Sequence, residues 1–300
     1  MRKCSNILVP WLFLAPALLI LGVFTIYPMI CGSALAFFDF SLLACEDDGS
    51  LMLPRWAGLA NFRRLWHDIY FWTAFKNSLL YLLIVPVLQA ASLFLAWMLN
   101  GETIGEKLAR TALYVPVVTS VVVVGIVWKW ILRSDGLLNQ MLAMLSGGAV
   151  GPVPWLTDPH LAIFSLMMVT AWQGIGYYLI LYLAGLQNIP KELEEAARLE
   201  GASDHSILWK ITVPLLKPTA AVCTLLSLIS ALKVFTEVFI ITGGGPQNST
   251  LTAAYYTYTT AFESFDMGYA AAMAMVTAAA VGTASLIHGA VFKKGGWSSL

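Results

Sequence analysis

Apolar residues are concentrated in six long runs, and polar segments separate one run from the next. A helix needs about 20 apolar residues to cross the hydrocarbon core of a bilayer, and each run is about that long. The first run exceeds the apolar region of a secretory signal, so we expect it to stay as a membrane helix. The predicted spans are Ile7–Ile30, Trp72–Leu99, Leu113–Leu132, Leu161–Leu183, Thr219–Ile241 and Tyr269–Val291.

The composition agrees with this pattern. The chain has 300 residues, of which 59% are hydrophobic and 11% are charged, whereas soluble domains carry roughly 25% charged residues. The formal net charge is zero, which gives no electrostatic reason to expect nucleic acid as a partner. Only Cys45 of the four cysteines is expected to face an oxidising compartment, so no disulfide framework is predicted. The sequence predicts an all-α membrane protein with about six transmembrane helices, forming a single domain over residues 1–300.

The distribution of Lys and Arg predicts the orientation, because basic loops stay on the cytoplasmic side. The opposite side holds Arg55, Arg63, Arg64 and Arg133, with Lys76 and Lys129 near span ends. Both termini and the polar segment of residues 189–218 are therefore predicted to be cytoplasmic. The cytoplasmic set is Arg2, Lys3, Lys107, Arg110, Lys191, Arg198, Lys210, Lys217, Lys293 and Lys294.

Residues 189–218 have the pattern of two short helices joined at a glycine. Pro190 is suited to a helix start, and acidic residues after it favour the N-terminal end of the helix dipole. Gly201 then marks a helix end, Ser203 and Asp204 are good caps for a second helix, and Pro214 disturbs that helix. Taken alone, this pattern also fits an amphipathic connector on the membrane surface.

The spacing within this segment favours a more specific interpretation. Glu195-Ala196-Ala197 is followed after three residues by Gly201, and after nine more by Ile211 and Pro214. This spacing resembles the EAA loop of ABC importer permeases, with Val213 as the one departure from the family pattern. The resemblance implies a type I importer permease fold whose EAA helix couples to an ATPase subunit. The coupling residues would be Glu195, Ala196, Ala197, Gly201, Ala202, Ile211 and Pro214.

Other parts of the chain extend the resemblance. Thr242-Gly243-Gly244-Gly245-Pro246 ends the fifth span, and its glycines permit positive φ. By itself this stretch also fits a simple turn. With Asn61-Phe62 and Gly268-Tyr269, the chain is similar to the branch that contains the maltose permease larger subunit and the glycerol-phosphate permeases. The small residues of the sixth span fit either packing within the chain or a dimer seam.

The resemblance implies a set of partners. We expect a second, related permease, two ATP-binding cassette ATPase subunits and an extracytoplasmic solute-binding protein, all at a bacterial inner membrane. The chain contains no P-loop sequence, so ATP and Mg would be bound by the ATPase partners, with no cofactor in this chain. It is thus expected to be a transport subunit rather than an enzyme. The four scattered histidines predict no metal site.

Two polar groups within the predicted spans are candidates for a solute path. Lys233 and Glu237 are four residues apart, so we expect one helical face; they fit either a wall of the path or a pair that neutralises itself and fixes packing. Polar residues of the fourth span also share a face, with interhelical packing at Gly174 as the alternative. The candidates are Ser120, Thr170, Gln173, Gly174, Tyr177, Lys233 and Glu237.

The predicted function is import of a carbohydrate, meaning a sugar, an oligosaccharide or a glycerol-phosphate-like solute, by alternating access driven by separate ATPase subunits. The alternative is an ion-coupled secondary transporter, which would show internal repeats and several carboxylates within its spans. No repeat is evident, and Glu237 is the one carboxylate well inside a predicted span. A membrane-embedded enzyme would need a catalytic constellation that the sequence does not contain.

Overall fold

The computed structural model describes residues 8–42 and 53–294, and most of these are helical. Cys4, Cys45 and the basic residues Arg2 and Lys3 lie outside the described residues. The helices are α1 (Leu8–Leu21), α2 (Tyr27–Leu35), α3 (Ala60–His67), α4 (Ile69–Leu80), α5 (Ile84–Met98), α6 (Ile104–Val118), α7 (Val121–Ile131), α8 (Leu137–Leu145), α9 (Ala162–Gln187), α10 (Lys191–Leu199), α11 (Asp204–Ile207), α12 (Val213–Leu215), α13 (Lys217–Leu232), α14 (Ala253–Phe262) and α15 (Met267–Lys294). Strands β1 (Phe38–Asp39) and β2 (Arg55–Trp56) pair as a short antiparallel ribbon.

The described residues fall into two compact units. The first unit lies within Met1–Asp68 and Thr257–Thr277, and the second within Ile69–Tyr256 and Ala278–Leu300. The prediction that residues 1–300 form one domain stays a prediction.

Within residues 8–42 and 53–294, four continuous helical stretches are long and apolar enough to cross a membrane, and the number rises to six if each of two bent helix pairs is one span. This confirms an all-α membrane protein with about six spans. The four stretches are Trp11–Leu35, Ile69–Met98, Ala162–Gln187 and Met267–Phe292.

The third span is not the straight helix of residues 113–132 that the sequence predicts. It begins at Ile104, where Thr103 forms a capping box with Glu106. The chain then bends by 99° between α6 and α7. Pro116 weakens the last turn of α6, because proline has no N–H to donate and its ring crowds the preceding turn.

The fifth span also differs from the predicted continuous helix over residues 219–241. Helix α13 ends at Leu232, and Lys233 already has non-helical angles, with φ −106° and ψ 14°. Helical structure returns at Thr236 and widens into a π-helical turn, Val238–Thr242. The buried hydroxyl of Thr252 donates to the Val234 carbonyl at 3.0 Å, so this interruption is stabilised by a hydrogen bond from outside the span.

The core of the second unit forms where α5, α9 and α13 pack together. Gly176 permits the close approach of α9 to α6, because a Cβ there would overlap the carbonyl oxygen of Leu113. A buried Gln89 links the three core helices: its amide group donates to Ser227 at 3.0 Å, and its oxygen accepts from Tyr182 at 2.9 Å. Polar side chains act in this way in membrane bundles, where they pair with one another across helices.

In the first unit, Asn61 and Gly268 each bind the backbone near β1. The Asn61 amide group donates to the carbonyl oxygens of Phe38 and Ala36, at 2.9 and 3.0 Å. The Gly268 N–H donates to the Phe40 carbonyl at 3.0 Å, and a Cβ at Gly268 would overlap the Phe38 carbonyl oxygen. Asn61 and Gly268 thus stabilise the same backbone segment near β1, although they are far apart in the sequence.

The same unit contains a charged cluster around Tyr269. Arg64 pairs with Asp266 at 2.6 Å, and its guanidinium lies 4.0 Å above the Tyr269 ring. The Tyr269 hydroxyl donates to Asp68 at 2.5 Å. These contacts join α3 to the beginning of α15.

Candidate functional site

A cavity of about 400 Å³ lies within the second unit, among α5, α6, α9 and α13. Five of its lining residues are among the candidates from the sequence: Thr170, Gln173, Gly174, Tyr177 and Glu237. The other lining residues are Ile84, Leu88, Val117, Val121, Tyr178, Leu226, Ser227, Ser230 and Ala231. Hydroxyl groups, an amide group, a carboxyl group and aromatic rings therefore share one small space.

Glu237 lies just before the π-helical turn, on the section of chain that resumes helical structure after the break. Its Oε1 is 3.4 Å from the Thr170 hydroxyl, and that hydroxyl is 2.7 Å from the buried Tyr81 hydroxyl. Thr170 also donates to the Leu166 carbonyl at 3.1 Å. Side chains of α9 and of the turn after α4 thus fix one side of the carboxyl group.

Gln173 has a structural contact as well as a place in the cavity wall. Its Nε2 donates to the Pro116 carbonyl at 3.3 Å and lies 3.5 Å from the Thr119 carbonyl. The Pro116 carbonyl also accepts from the Thr119 N–H at 3.3 Å, so Gln173 binds backbone groups at the end of α6, next to the break before α7. The amide group consequently links the cavity to the bend.

Aromatic rings provide flat surfaces on the same side of α9. Tyr177 and Tyr178 are in edge contact, with ring centroids 5.1 Å apart. Tyr177 is 41% exposed, so much of its ring is open to contact by another molecule. Flat apolar rings together with hydroxyl and amide groups suit polar solutes that have both apolar faces and hydroxyl groups.

Two predicted residues, Lys233 and Ser120, do not line this cavity. The prediction that Lys233 and Glu237 share a helical face is wrong, because the helix stops at Leu232. No ion pair joins them within residues 8–42 and 53–294, and Lys233 is exposed. Ser120 lies at the bend, between the lining residues Val117 and Val121, and immediately precedes α7.

Helix α13 contributes lining residues that the sequence did not predict. Ser227, Ser230 and Ala231 follow the spacing of one helical face, and this spacing was the available signal. Tyr81 was also missed: it does not line the cavity, but it supports Thr170 from a fully buried position.

The EAA segment, Pro190–Pro214, has the two predicted helical parts joined at Gly201. Helix α10 ends in a Schellman motif, in which the Ala202 N–H donates to the Ala197 carbonyl and the Gly201 N–H to the Arg198 carbonyl. Gly201 has φ +83°, in the left-handed region. Ser203 caps α11, and a 2.8 Å ion pair between Arg198 and Asp204 spans the turn.

The second helical part of the segment runs farther than Pro214. It continues from α11 through a π-helical turn, Leu208–Thr212, into α12. It ends at Leu215, and the chain bends by 69° into α13. Pro214 therefore lies in the last turn, where Ile211 and Pro214 are close to the beginning of the fifth span.

The two sides of α10 differ in character. No residue of this helix is buried. One side carries Leu193, Ala196 and Leu199, and Leu199 is 90% exposed. The other side borders a groove of about 750 Å³, together with residues of α6 and the end of α9. Charged residues predominate in that groove: Glu102, Lys107, Arg110, Lys191, Glu194, Glu195 and Arg198.

The fifth span ends in the predicted glycine turn. Gly243 and Gly244 have φ values of +61° and +83°, and the Gly243 N–H donates to the Val238 carbonyl at 2.7 Å. The Thr250 hydroxyl donates to the Gly245 carbonyl at 2.7 Å. The prediction of positive φ is therefore confirmed for two of the three glycines.

Comparisons with known proteins agree with these features. Residues 89–294 match the family described as binding-protein-dependent transport system inner membrane component. The chain is 35% identical over 284 residues to the lactose transport system permease protein LacF of Rhizobium radiobacter, covering 93% of this chain and 92% of that protein. It is 31% identical over 290 residues to the arabinooligosaccharides transport system permease protein AraP of Bacillus subtilis (strain 168), covering 93% and 86%.

A solved structure has the same fold. The crystal structure of a bacterial alginate ABC transporter, in complex with an alginate pentasaccharide-bound periplasmic protein, contains a chain that matches this one with a TM-score of 0.82. The match covers 100% of both chains at 24% sequence identity. The structure therefore has the fold of an ABC importer permease.

Proposed function

This chain belongs to the family of binding-protein-dependent transport system inner membrane components, and from that premise we propose that it forms the membrane path of a bacterial ABC importer for a carbohydrate. The chain is a multi-pass membrane permease. Its family favours the importer over an ion-coupled secondary transporter. We propose in addition that both termini and the EAA segment are cytoplasmic, in keeping with the distribution of Lys and Arg.

The exposed side of α10 carries this proposal. Leu193, Ala196 and Leu199 face away from the charged groove, and Leu199 is 90% exposed at the helix end. A leucine in that position gains stabilisation only if another surface covers it. We propose that the surface belongs to an ATPase subunit, that Ala196, Ala197, Gly201 and Ala202 form the coupling contact with it, and that Glu195, which borders the charged groove, joins this contact from the edge of α10.

The geometry of the EAA segment suits the transmission of movement. The Schellman turn and the Arg198–Asp204 ion pair join α10 to the next helix without a flexible linker. That helix continues past Ile211 and Pro214 to the bend before α13. A displacement of α10 by the ATPase subunits would therefore reach α13, which lines the cavity, as a rigid-body movement.

In the proposed cycle, two ATPase subunits bind ATP and Mg and close. Their closure moves α10, and the cavity opens to the outer side, where a solute-binding protein delivers the solute. Hydrolysis by the ATPase subunits then resets the permease. This chain would contribute positioning and a path, and a second related permease would complete the cavity.

A carbohydrate suits the cavity chemically. Thr170, Ser230 and Glu237 offer hydrogen-bonding groups, and Tyr177 offers a partly exposed ring. Sugars combine several hydroxyl groups with flat apolar faces, and sites for them combine the same two features. The relatives named for transport of lactose and of arabinooligosaccharides support this class.

Co-purification tests the coupling proposal. The chain is expressed with its neighbouring ATPase and permease genes, and ATPase activity is measured in lipid with and without the binding protein. Leu199→Asp should lower recovery of the ATPase subunits at least tenfold, because it places a charge in an apolar contact. The matched control is Leu145→Asp on α8, where leucine is 83% exposed. Equal recovery from both variants would contradict the proposed contact.

A further inference from the structure

Glu237 is the one side chain able to carry a full charge at neutral pH among the residues that line the membrane cavity. The other lining groups are hydroxyls, one amide group, tyrosine rings and apolar side chains. Lys233, the expected neutralising partner, does not line the cavity. The ion pairs Arg64–Asp266, Arg133–Asp135 and Arg198–Asp204, all among the described residues, do not involve Glu237.

We propose that Glu237 is a specificity-determining residue that admits uncharged sugars and rejects anionic solutes. The inference rests on the proposed import function and narrows its substrate class. The proposed substrates then include neutral sugars and exclude uronates, sulfonates and glycerol-phosphate-like solutes. Glu237 exerts this selection from the wall of the cavity that this chain itself provides.

The position of the carboxyl group supports a role in contact with solute. Thr170 approaches Oε1 at 3.4 Å, and no side chain in the described part of the molecule bonds to Oε2. A carboxylate is an acceptor with several lone-pair sites. The hydroxyl groups of a neutral sugar can donate to the carboxylate oxygens, whereas an ionised acidic group has no proton to donate.

Electrostatic repulsion adds to this lack of a donor. Apolar residues such as Ile84 and Leu88 form part of the cavity wall, and they screen charge poorly compared with water. Two like charges a few ångströms apart in such surroundings repel far more strongly than in bulk solvent.

Thiol chemistry in the cavity measures this effect without a sugar. Ser230 lines the cavity and is exposed, so Ser230→Cys is made in a full chain whose Cys4, Cys31, Cys45 and Cys223 are replaced by alanine. The chain is assembled with its partner subunits in membrane vesicles. The rates of reaction with the cationic reagent MTSET and the anionic reagent MTSES are then compared as a ratio.

We expect E237Q to lower the ratio of cationic to anionic rates at least tenfold. E237D, which keeps the charge, should preserve the ratio within about threefold, consistent with the distance dependence of the Coulomb interaction. The control E263Q removes an exposed carboxylate that does not line the cavity, and should leave the ratio unchanged.

The proposal is overturned if E237Q leaves the ratio unchanged, or if E237D lowers it as much as E237Q does, since the latter indicates a change of structure rather than of charge. The reaction needs neither ATP nor a transported solute. Failure of this test is therefore distinct from failure of the import function, which would appear as a permease that recovers no ATPase subunits.

Discussion

The EAA segment and the membrane cavity, both in the second unit, differ in how far apart their residues lie along the chain. The EAA segment occupies Pro190–Pro214, and its turn depends on local hydrogen bonds between Ala197, Arg198, Gly201 and Ala202. The cavity takes residues from Ile84 to Glu237 and depends on two interrupted helices. The conformation of the EAA segment is determined by its local sequence, whereas the cavity is determined by packing between distant parts of the chain.

The largest expected effect concerns the local region. Gly201 has φ +83° and open space around its Cβ position, so substitution there strains the backbone without creating a clash. Gly201→Val should cost roughly 1–2 kcal/mol or more at this turn and reduce uptake at least tenfold while membrane insertion stays normal. Uptake and ATPase activity are measured in the same vesicles.

The matched variant is Gly201→Asn, because asparagine tolerates left-handed angles far better than valine. It should retain at least half of the uptake. If Gly201→Val transports normally, the rigid turn is not required for coupling, and the distinction between the two regions loses its functional meaning.

The second prediction concerns two glycines of α9 that the sequence does not distinguish. A Cβ at Gly176 would overlap the Leu113 carbonyl and lie 3.0 Å from Val117. At Gly174, a cavity residue, the nearest atoms would be Leu88 methyl groups at 3.4 Å. Gly176→Ala should destabilise the protein by about 1–3 kcal/mol, measured as thermal unfolding in detergent.

Gly174→Ala provides the control for that measurement. Its methyl group meets a flexible side chain, and alanine favours helix by up to about 1 kcal/mol over glycine, so stability should be unchanged or slightly higher. Equal destabilisation by both substitutions would contradict the assignment of Gly176, rather than Gly174, as the point of close helix contact.

These contrasts show how much of the molecule the sequence could predict. Span positions follow from apolar runs, and the EAA turn follows from Pro190, Gly201 and Ser203. The bend after α6 had a visible cause in Pro116, whereas the bond from Gln173 to the Pro116 carbonyl joins residues 57 positions apart and had no local signal. The break after Leu232 had no such signal, because no proline or glycine lies between Leu232 and Glu237.

Because the break after Leu232 was not predicted, Lys233 was included among the candidate site residues. The Val234 carbonyl is satisfied by Thr252, which lies eighteen residues farther along the chain. A helical period applied across this point placed Lys233 beside Glu237. Hydrogen bonds between distant residues are not visible in local periodicity, and this is why the cavity was predicted less completely than the EAA segment.

A third prediction examines a buried contact that holds the cavity helices together. Gln89 accepts from Tyr182 at 2.9 Å and donates to Ser227 at 3.0 Å. Gln89→Leu should destabilise the protein by roughly 0.6–2 kcal/mol, since such bonds in membranes are of modest strength. The control is Gln140→Leu, which removes an exposed amide group that bonds to Asp135. A smaller loss for Gln89 than for Gln140 would mean that the buried contact adds nothing.

The smallest expected effect is on the support of Glu237. The Tyr81 hydroxyl lies 2.7 Å from Thr170, which in turn lies 3.4 Å from Glu237. Tyr81→Phe keeps the buried ring and removes one hydrogen bond, worth about 0.5–1.5 kcal/mol. It should therefore weaken uptake of a neutral solute by about two- to tenfold, without lowering recovery of the ATPase subunits.

Tyr114→Phe removes a hydroxyl from a half-exposed residue of α6 outside the cavity lining and should leave uptake unchanged. If Tyr81→Phe instead reduces recovery of the ATPase subunits as strongly as Leu199→Asp, then the cavity and the EAA segment are not separable, and Tyr81 supports the whole bundle rather than one carboxyl group.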